Sequence, residues 1–558
     1  MRLPKKYGGR LLRRDSTGAP HAIALAVAVV SWSTTAVAVG YGGQGFGGGS
    51  VIDSAFGLGV IGPAAQGGGD GNGGWTFNSG VALSATYSDN ANLTSNSKGG
   101  QEEIFLQVLP YFTLNGEGAR VKARGYYAPA LYTGTIGDTS PSIDNFLTFD
   151  GTVEVSPETF FVDGYAKATM VNQNSTGPGG GIPNQSYLYN SDNLTQAFGF
   201  GVSPYVRQHL GSTADFLARA SIGSTRYSGS SANDSVNAAF TAGFTSGRDF
   251  QRMPWSINYS LRQQEFSGDS TAYGSSNTYQ AVTGRASYVI SPVWRVDGSL
   301  GYANNDYVTT SGNQSGPTWS LGGTWTPNPR VALSLGYGGQ PYGDSWYVNY
   351  RYAHKRVSWF ANYTTQLTTV QQEFMQSQTF VQTDPNGLPI NDPATGLPIQ
   401  VTRIDPTLTN ESYVLSSFFT GINWTGNRTT VGLDANWSQR DYQVSGGSEK
   451  DWGIGARISR TLSADLTASA RLGWTAYENL GTGPIPDTGT GSSGTDTEST
   501  WNADVLLTKR LSERSSVSGI YRYISDVGAF DTGSFGSSGY SDASGPENRI
   551  TLVFNHSF

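Results

Sequence analysis

The 558-residue chain contains no cysteine, which removes disulfides, thiolate nucleophiles and Cys-based metal sites together. It has no uninterrupted apolar run of the ~20 residues that a membrane-spanning helix requires. Mean hydropathy is −0.33, too polar for a helical membrane protein. Charged residues make up only 14%, below the ~25% of ordinary soluble domains. A net charge of −7 argues against a nucleic-acid partner, which favours basic surfaces. Histidine is scarce: His21 lies in the N-terminal segment, and His209, His354 and His556 are far apart in sequence. There is no G-x-S-x-G elbow, H-E-x-x-H pair or P-loop. The loop acids Asp487, Asp496 and Glu498 do not have EF-hand spacing and read as solvated carboxylates. The expectation is a protein that is not an enzyme and needs no cofactor or metal.

What is present is a pattern. Aromatics reach 12%, with 30 Tyr and 13 Trp, and glycine numbers 74. The last strand alternates strictly: Phe558, His556, Phe554, Leu552 and Ile550 on one face, Ser557, Asn555, Val553, Thr551 and Arg549 on the other. Period two with one apolar and one mostly polar face describes a strand between two different media. A terminal aromatic of this kind resembles the closing strand of outer-membrane barrels. That resemblance assigns Ile550, Leu552, Phe554 and Phe558 to recognition by the barrel-assembly machinery.

The same unit recurs along the chain. Trp255/Ile257/Tyr259/Leu261, Val431/Leu433/Ala435/Trp437, Leu466/Ala468/Ala470/Leu472/Trp474 and Trp501/Ala503/Val505/Leu507 form apolar faces. Their partners Ser256/Asn258/Ser260/Arg262, Gly432/Asp434/Asn436/Ser438 and Thr467/Ser469/Arg471 are polar. Runs of ~10 alternating residues are the sequence pattern of a membrane barrel. A soluble sandwich alternates too, but with strands nearer five or six residues. Short turns are predicted at 156–158, 210–213, 291–292, 327–329, 425–427, 462–464 and 511–513. Longer loops fall near 88–101, 133–144, 172–192, 370–410, 479–498 and 527–545. This predicts one all-β domain over 75–558, a transmembrane antiparallel up-and-down barrel of about 22 strands (20–24), with short connections periplasmic and long ones external.

The N-terminus is expected to direct export. Basic residues from Arg2 to Arg14 precede an apolar stretch from Ala22 to about Trp32, and Ala36-Val37-Ala38 offers a small-x-small cleavage site. This predicts a signal peptide over 1–38, read by the general secretory route, and a flexible glycine-rich periplasmic segment over 39–74. About 22 strands enclose a wide lumen. TonB-dependent transporters fill such a lumen with a separate domain of over a hundred residues, for which the segment before Trp75 is too short. The lumen is therefore expected to be open, filled by an inward loop, with 370–410 the best candidate, or partly occupied by the glycine-rich segment.

Parity assigns charges to the lumen: Lys122, Arg124, Lys167, Arg219, Arg262, Arg285, Arg295, Arg351, Arg440, Arg457, Arg471 and Arg522, against Asp150, Glu154, Asp163, Asp215, Glu265, Asp297, Asp434 and Asp504. A basic excess in a pore favours anionic solutes; cross-strand pairing that holds the wall is the alternative role. Inward Tyr126, Tyr165 and Tyr477 offer faces for sugar rings.

Four short stretches carry a family resemblance: Ala85-Thr86-Tyr87-Ser88-Asp89-Asn90, Gln107-Val108-Leu109-Pro110, Leu114-Asn115-Gly116-Glu117-Gly118-Ala119-Arg120 and Tyr126-Tyr127-Ala128-Pro129. In this order, over about residues 80–135, they resemble the outer-membrane barrels associated with the PEP-CTERM and exopolysaccharide systems of Gram-negative bacteria. The resemblance implies outer-membrane lipid, polysaccharide and periplasmic export components as partners, and a role in exopolysaccharide export or production. It carries over no catalytic residue. A diffusion porin for small or anionic solutes and an adhesive surface protein using loop 370–410 are the other functions considered.

Overall fold

The computed structural model describes residues 74–91, 102–136, 141–173, 193–229, 233–267, 274–310, 315–376, 406–480, 495–525 and 545–558. The expected signal peptide and most of the glycine-rich segment lie outside the described residues, as does the middle of loop 370–410.

The chain forms twenty-two strands in a single sheet. The first seven are β1 (Trp75–Ser88), β2 (Glu103–Glu117), β3 (Val121–Ile136), β4 (Ser142–Ser156), β5 (Phe160–Asn172), β6 (Leu194–Leu210) and β7 (Ala214–Ser228). Then come β8 (Ser235–Ser246), β9 (Trp255–Phe266), β10 (Ser276–Val289), β11 (Trp294–Asp306), β12 (Gly316–Asn328), β13 (Val331–Gln340) and β14 (Gly343–His354). The last eight are β15 (Val357–Thr368), β16 (Tyr413–Thr425), β17 (Thr429–Tyr442), β18 (Ser448–Thr461), β19 (Leu466–Leu480), β20 (Thr495–Arg510), β21 (Ser515–Ile524) and β22 (Glu547–Ser557). A short helix, α1 (Val370–Gln376), follows β15.

Each strand pairs antiparallel with the next, as β1 does with β2 and β21 with β22. The sheet closes on itself where β1 meets β22, from Gly80↔Ser557 to Ser88↔Arg549. Closure leaves no open edge along Gly80–Ser88, so strands of the wall find hydrogen-bonding neighbours on both sides.

The two faces invert the usual arrangement of a protein. Outward side chains are large, apolar and uncovered: Leu300 is 75% exposed, Leu321 66% and Phe77 65%. Inward ones are polar and buried, among them Thr86, Ser88, Gln264, Asn423 and Glu449. A contiguous exposed apolar belt around a closed sheet is stable only in lipid; the chain is a transmembrane β-barrel. Outward aromatics gather near both ends. Trp319, Tyr337 and Trp346 form a cross-strand row at the long-connection end, with ring centroids 5.6 and 4.4 Å apart. Trp294–Trp325 (6.0 Å) and Tyr350–Trp359 (4.7 Å) lie at the short-turn end. These are the positions where amphipathic rings meet headgroups.

The closing strand shows how His556 fits among apolar neighbours. Its ring meets Ser515 through a 2.8 Å hydrogen bond and packs edge-on against Phe558. Ile550, Leu552, Phe554 and Phe558 all face outward and are exposed.

The short turns fall where the sequence places them, but strict alternation of short and long connections does not hold. At the end expected to carry the long loops, β13 and β14 join through Pro341-Tyr342 alone, and β17 and β18 through residues 443–447. At the other end, β8 and β9 are joined by eight residues that include a 3-10 turn, Arg248–Phe250. Where turns are tightest the backbone enters the left-handed region: Gly211 has φ of 66°, and Glu158 adopts 57° after Pro157.

Glycine has a second use inside the barrel. Tyr347 lies across β13 and β12 over Gly336 and Gly322; a Cβ at Gly336 would meet its ring at 2.2 Å and one at Gly322 its hydroxyl at 2.0 Å. Tyr165 does the same over Gly201 and Gly223. Bare glycine lets a large ring lie against the wall instead of projecting into the lumen. Gly336→Val is therefore expected to lift Tyr347 and destabilise the barrel by about 1–3 kcal/mol through overpacking. Urea unfolding of the vesicle-inserted protein, followed by tryptophan fluorescence, measures this; an unchanged midpoint would show that the ring has room elsewhere.

Candidate functional site: a hairpin folded into the lumen

The outer end of the β15–β16 hairpin leaves the wall and turns inward. From Leu367 to Phe374 and from Pro406 to Leu415 every residue is buried, whatever its parity. Helix α1 begins as Gln372 and Glu373 donate their amides to the Thr369 carbonyl, at 3.1 and 3.0 Å. Val370, Leu408, Tyr413, Leu415 and Tyr442 form an apolar cluster with Val171 and Tyr227 packed against it. That cluster joins β16–β17 to β5 and β7, strands roughly opposite in the circle. A second one, Tyr279, Tyr307, Leu367 and Val414, joins the hairpin to β10 and β11.

On the β17–β18 side the hairpin is fixed by charge. Arg440 Nη2 donates to Glu373 Oε1 at 2.9 Å and its Nη1 to Asp451 Oδ2 at 2.8 Å. Tyr413 Oη donates to Glu373 Oε2 at 2.6 Å. Asn436 and Ser438 also donate to Asp451. Arg440 is 1% exposed and Glu373 4%, so each charge is stable there only because the others are in place. Glu411 adds a second tie, accepting from the amides of Val444 and Ser445 in the β17–β18 connection.

On the far side the contacts are weaker. Lys167 Nζ donates to the Phe374 carbonyl at 2.9 Å and sits 4.4 Å from the Phe374 ring centroid. Gln264 exchanges hydrogen bonds with Gln371 (3.4 Å) and Thr369 (3.2 Å). Ser412 meets Tyr279 at 2.7 Å and Asn277 at 3.2 Å. Charge-assisted bonds anchor one end, and mostly neutral ones the other.

All twelve basic residues assigned to the lumen lie on inward positions of the register. Many are paired within the wall. Arg219 forms an ion pair with Asp163 (2.7 Å), Arg295 with Asp297 (3.0 Å) and Arg522 with Asp504 (2.5 Å), with Arg471 3.8 Å from the same Asp504. Lys122 pairs with Glu117, and Arg457 donates to Asn423 at 2.5 Å. Arg262 stacks over Tyr279 at 4.2 Å. Arg124, Arg285 and Arg351 form no hydrogen bond or ion pair among the described residues, although Arg124 stands opposite Asp150 in register.

Two sequence expectations are corrected here. Glu265 is not inward: it shares odd parity with the outward Trp255, Ile257, Tyr259 and Leu261, and it lies opposite exposed Val236 on the outer face. The general basic excess also fails. Inward Glu103, Glu117, Asp144, Glu449, Asp451 and Glu547, with Glu373 and Glu411 of the hairpin, offset the cations, to which the wall adds Arg207, Arg510 and Arg549. Sequence counting missed these acids because most stand at strand tips, where parity is hardest to extend. Of the three tyrosines, Tyr126 and Tyr477 are buried at 7% and 3% and offer no face; Tyr165 is half-buried. Tyr347 was passed over, although its parity and the glycines opposite it were legible.

No protein-family model matches the chain, and no curated protein matches it. Among solved structures it is similar to the siderophore receptor PirA from Acinetobacter baumannii, at 9% identity over 87% of this chain and 81% of that one, with a TM-score of 0.46. It is similar to the FrpB iron transporter from Neisseria meningitidis at 10% identity, 86% and 82% coverage and a TM-score of 0.45. It is also similar to the ferric-catecholate import receptor Fiu from E. coli K12, at 10% identity, 86% and 81% coverage and a TM-score of 0.43. These are likenesses of outline and imply nothing about cargo. Class is defined by the structure itself: a transmembrane β-barrel whose lumen is entered by its own hairpin.

Replacing Arg440 by Met strands two buried carboxylates and is expected to cost about 3–5 kcal/mol, read as a lower urea midpoint; a change under about 1 kcal/mol would mean the hairpin is held by packing alone. Burial raises the Glu411 carboxyl above its ordinary 4.5 despite the opposing amide bonds. The folded state therefore favours its protonated form. That contribution to stability is complete below the ordinary value and is lost as pH rises through the raised one. Glu411→Gln should flatten this part of the pH dependence, and an unaltered profile would assign it to other groups.

Proposed function

We propose that the chain is an outer-membrane conduit for an extracellular polysaccharide, loaded from the periplasmic, short-turn end and narrowed near the outer end by the β15–β16 hairpin. The observation that carries this reading is the lumen. It is polar, and among the described residues the chain's own hairpin is what crosses it, held by charge at one end and mostly by neutral bonds at the other. An obstruction anchored unequally is suited to swing about its stronger side while the barrel stays closed. The resemblance over residues 80–135 to barrels of exopolysaccharide systems supports the choice of cargo, and the assembly machinery and periplasmic export components are its proposed partners. An adhesive role for loop 370–410 is disfavoured, since both described arms of the loop are buried inside the barrel. A small-solute porin is the second reading, favoured by the near balance of inward charges.

Vesicles loaded with labelled oligosaccharides separate the two. A conduit is expected to release acidic oligomers of about six sugars once the Lys167 contact is removed by Lys167→Met, because the outer constriction then loosens. Release of disaccharides alone, with hexamers retained in both proteins, would leave the porin.

A further inference from the structure

The inward charges are not evenly spread. Around β10 to β16 the only inward charged side chains are Arg285, Arg295, Asp297 and Arg351. The rest of that wall is glycine, hydroxyl, amide and a few aromatic or small apolar residues. Arg295 is taken by Asp297 at 3.0 Å, which leaves Arg285 and Arg351 uncompensated. Elsewhere in the lumen acids match or outnumber bases. Local positive charge on an otherwise uncharged polar surface is therefore confined to one side.

Tyr347 stands in the middle of it. One side of its ring lies over Gly336 and Gly322, so the other faces the lumen. Its hydroxyl is within electrostatic range of Asp297, Arg285 and Arg295. Hydroxyl pairs line the floor beside it: Ser299 with Ser320 at 2.5 Å, and Thr324 with Ser334 at 3.0 Å. Asn349 and Arg351 follow Tyr347 on the same inward face of β14, and both are exposed to the lumen. A ring lying along the wall, rows of hydroxyls and a guanidinium on either side match the parts of an acidic sugar: an apolar ring face, hydroxyls and a carboxylate.

We propose that Tyr347, Arg285 and Arg351 form a binding track for carboxylated saccharides on the β10–β15 wall. A sugar ring stacks on Tyr347, and carboxylates on well-separated units of the same chain meet Arg285 and Arg351. These two arginines lie four strands apart, and Arg285 lines up in register with Ser345, six residues before Arg351; at ~4.8 Å per strand and ~3.3 Å per residue the separation is roughly 28 Å along the wall, so the track engages a chain rather than one sugar. The site deepens the conduit reading and rests on it for its biological purpose, but its chemistry stands alone.

Isothermal titration of the full chain, folded in detergent, with a uronic-acid hexamer and a neutral glucose hexamer tests it. The uronate is expected to bind more tightly than the neutral hexamer and to weaken as salt rises. Tyr347→Ala and the double variant Arg285→Gln/Arg351→Gln should each weaken it about tenfold or more, a loss of ~1.4 kcal/mol or more. Heat-modifiable gel mobility confirms that each variant has closed its barrel, and Arg351→Lys, which keeps the charge, should retain most of the affinity. Equal binding of the two hexamers, or variants that bind as the parent does, would overturn the proposal. Uronate binding lost in the variants while cells expressing them still secrete polysaccharide would keep the site and remove the conduit.

Discussion

Backbone hydrogen bonding in lipid is the constraint from which the rest follows. A sheet edge left open in hydrocarbon costs several kcal/mol for each unpaired group, so β1 must find β22, and it does from Gly80 to Ser88. Once the sheet is closed, period two divides every strand between two solvents. Leu300 and Leu321 face lipid because their neighbours Ser299 and Ser320 bond each other inside. The exposed apolar surface that would mark an aggregating protein in water is here the part that matches its surroundings.

Closure also creates the second problem, a wide lumen in which charge is poorly screened. The chain answers it with pairs. Asp504 lies among Arg471 and Arg522, Asp163 meets Arg219, and Asp451 shares Arg440 with Glu373. The last of these differs in that Glu373 comes from the inward hairpin, so satisfying one buried charge also fixes the position of the constriction. Hairpin and wall are joined through a single guanidinium.

Much of this was legible in the sequence, for a physical reason. The strand pattern repeats in every hairpin, so errors at one boundary do not propagate, and the count near 22 and the inward basic residues followed from parity alone. Glu265 obeys the same rule, since its odd parity puts it on the outer face with Ile257 and Leu261. The hairpin was harder. Its tip carries apolar residues on both faces, such as Leu367 and Val414 beside Tyr413 and Leu415, which signals burial on both sides but does not say against what. The Arg440–Glu373–Asp451 arrangement joins residues 67 and 11 positions apart, and no local spacing announces it. The charge asymmetry of the lumen needed the acids at strand tips, which only the register supplies.

The proposed conduit depends on the β15–β16 hairpin setting the width of the passage. Single-channel conductance in planar bilayers tests it directly, comparing the parent with a variant in which residues 369–411 are replaced by a tight Asn-Gly turn between β15 and β16. A conduit narrowed by its hairpin predicts small, infrequent currents in the parent and large, steady ones in the variant. Equal conductance in the two would place the constriction elsewhere and contradict the account.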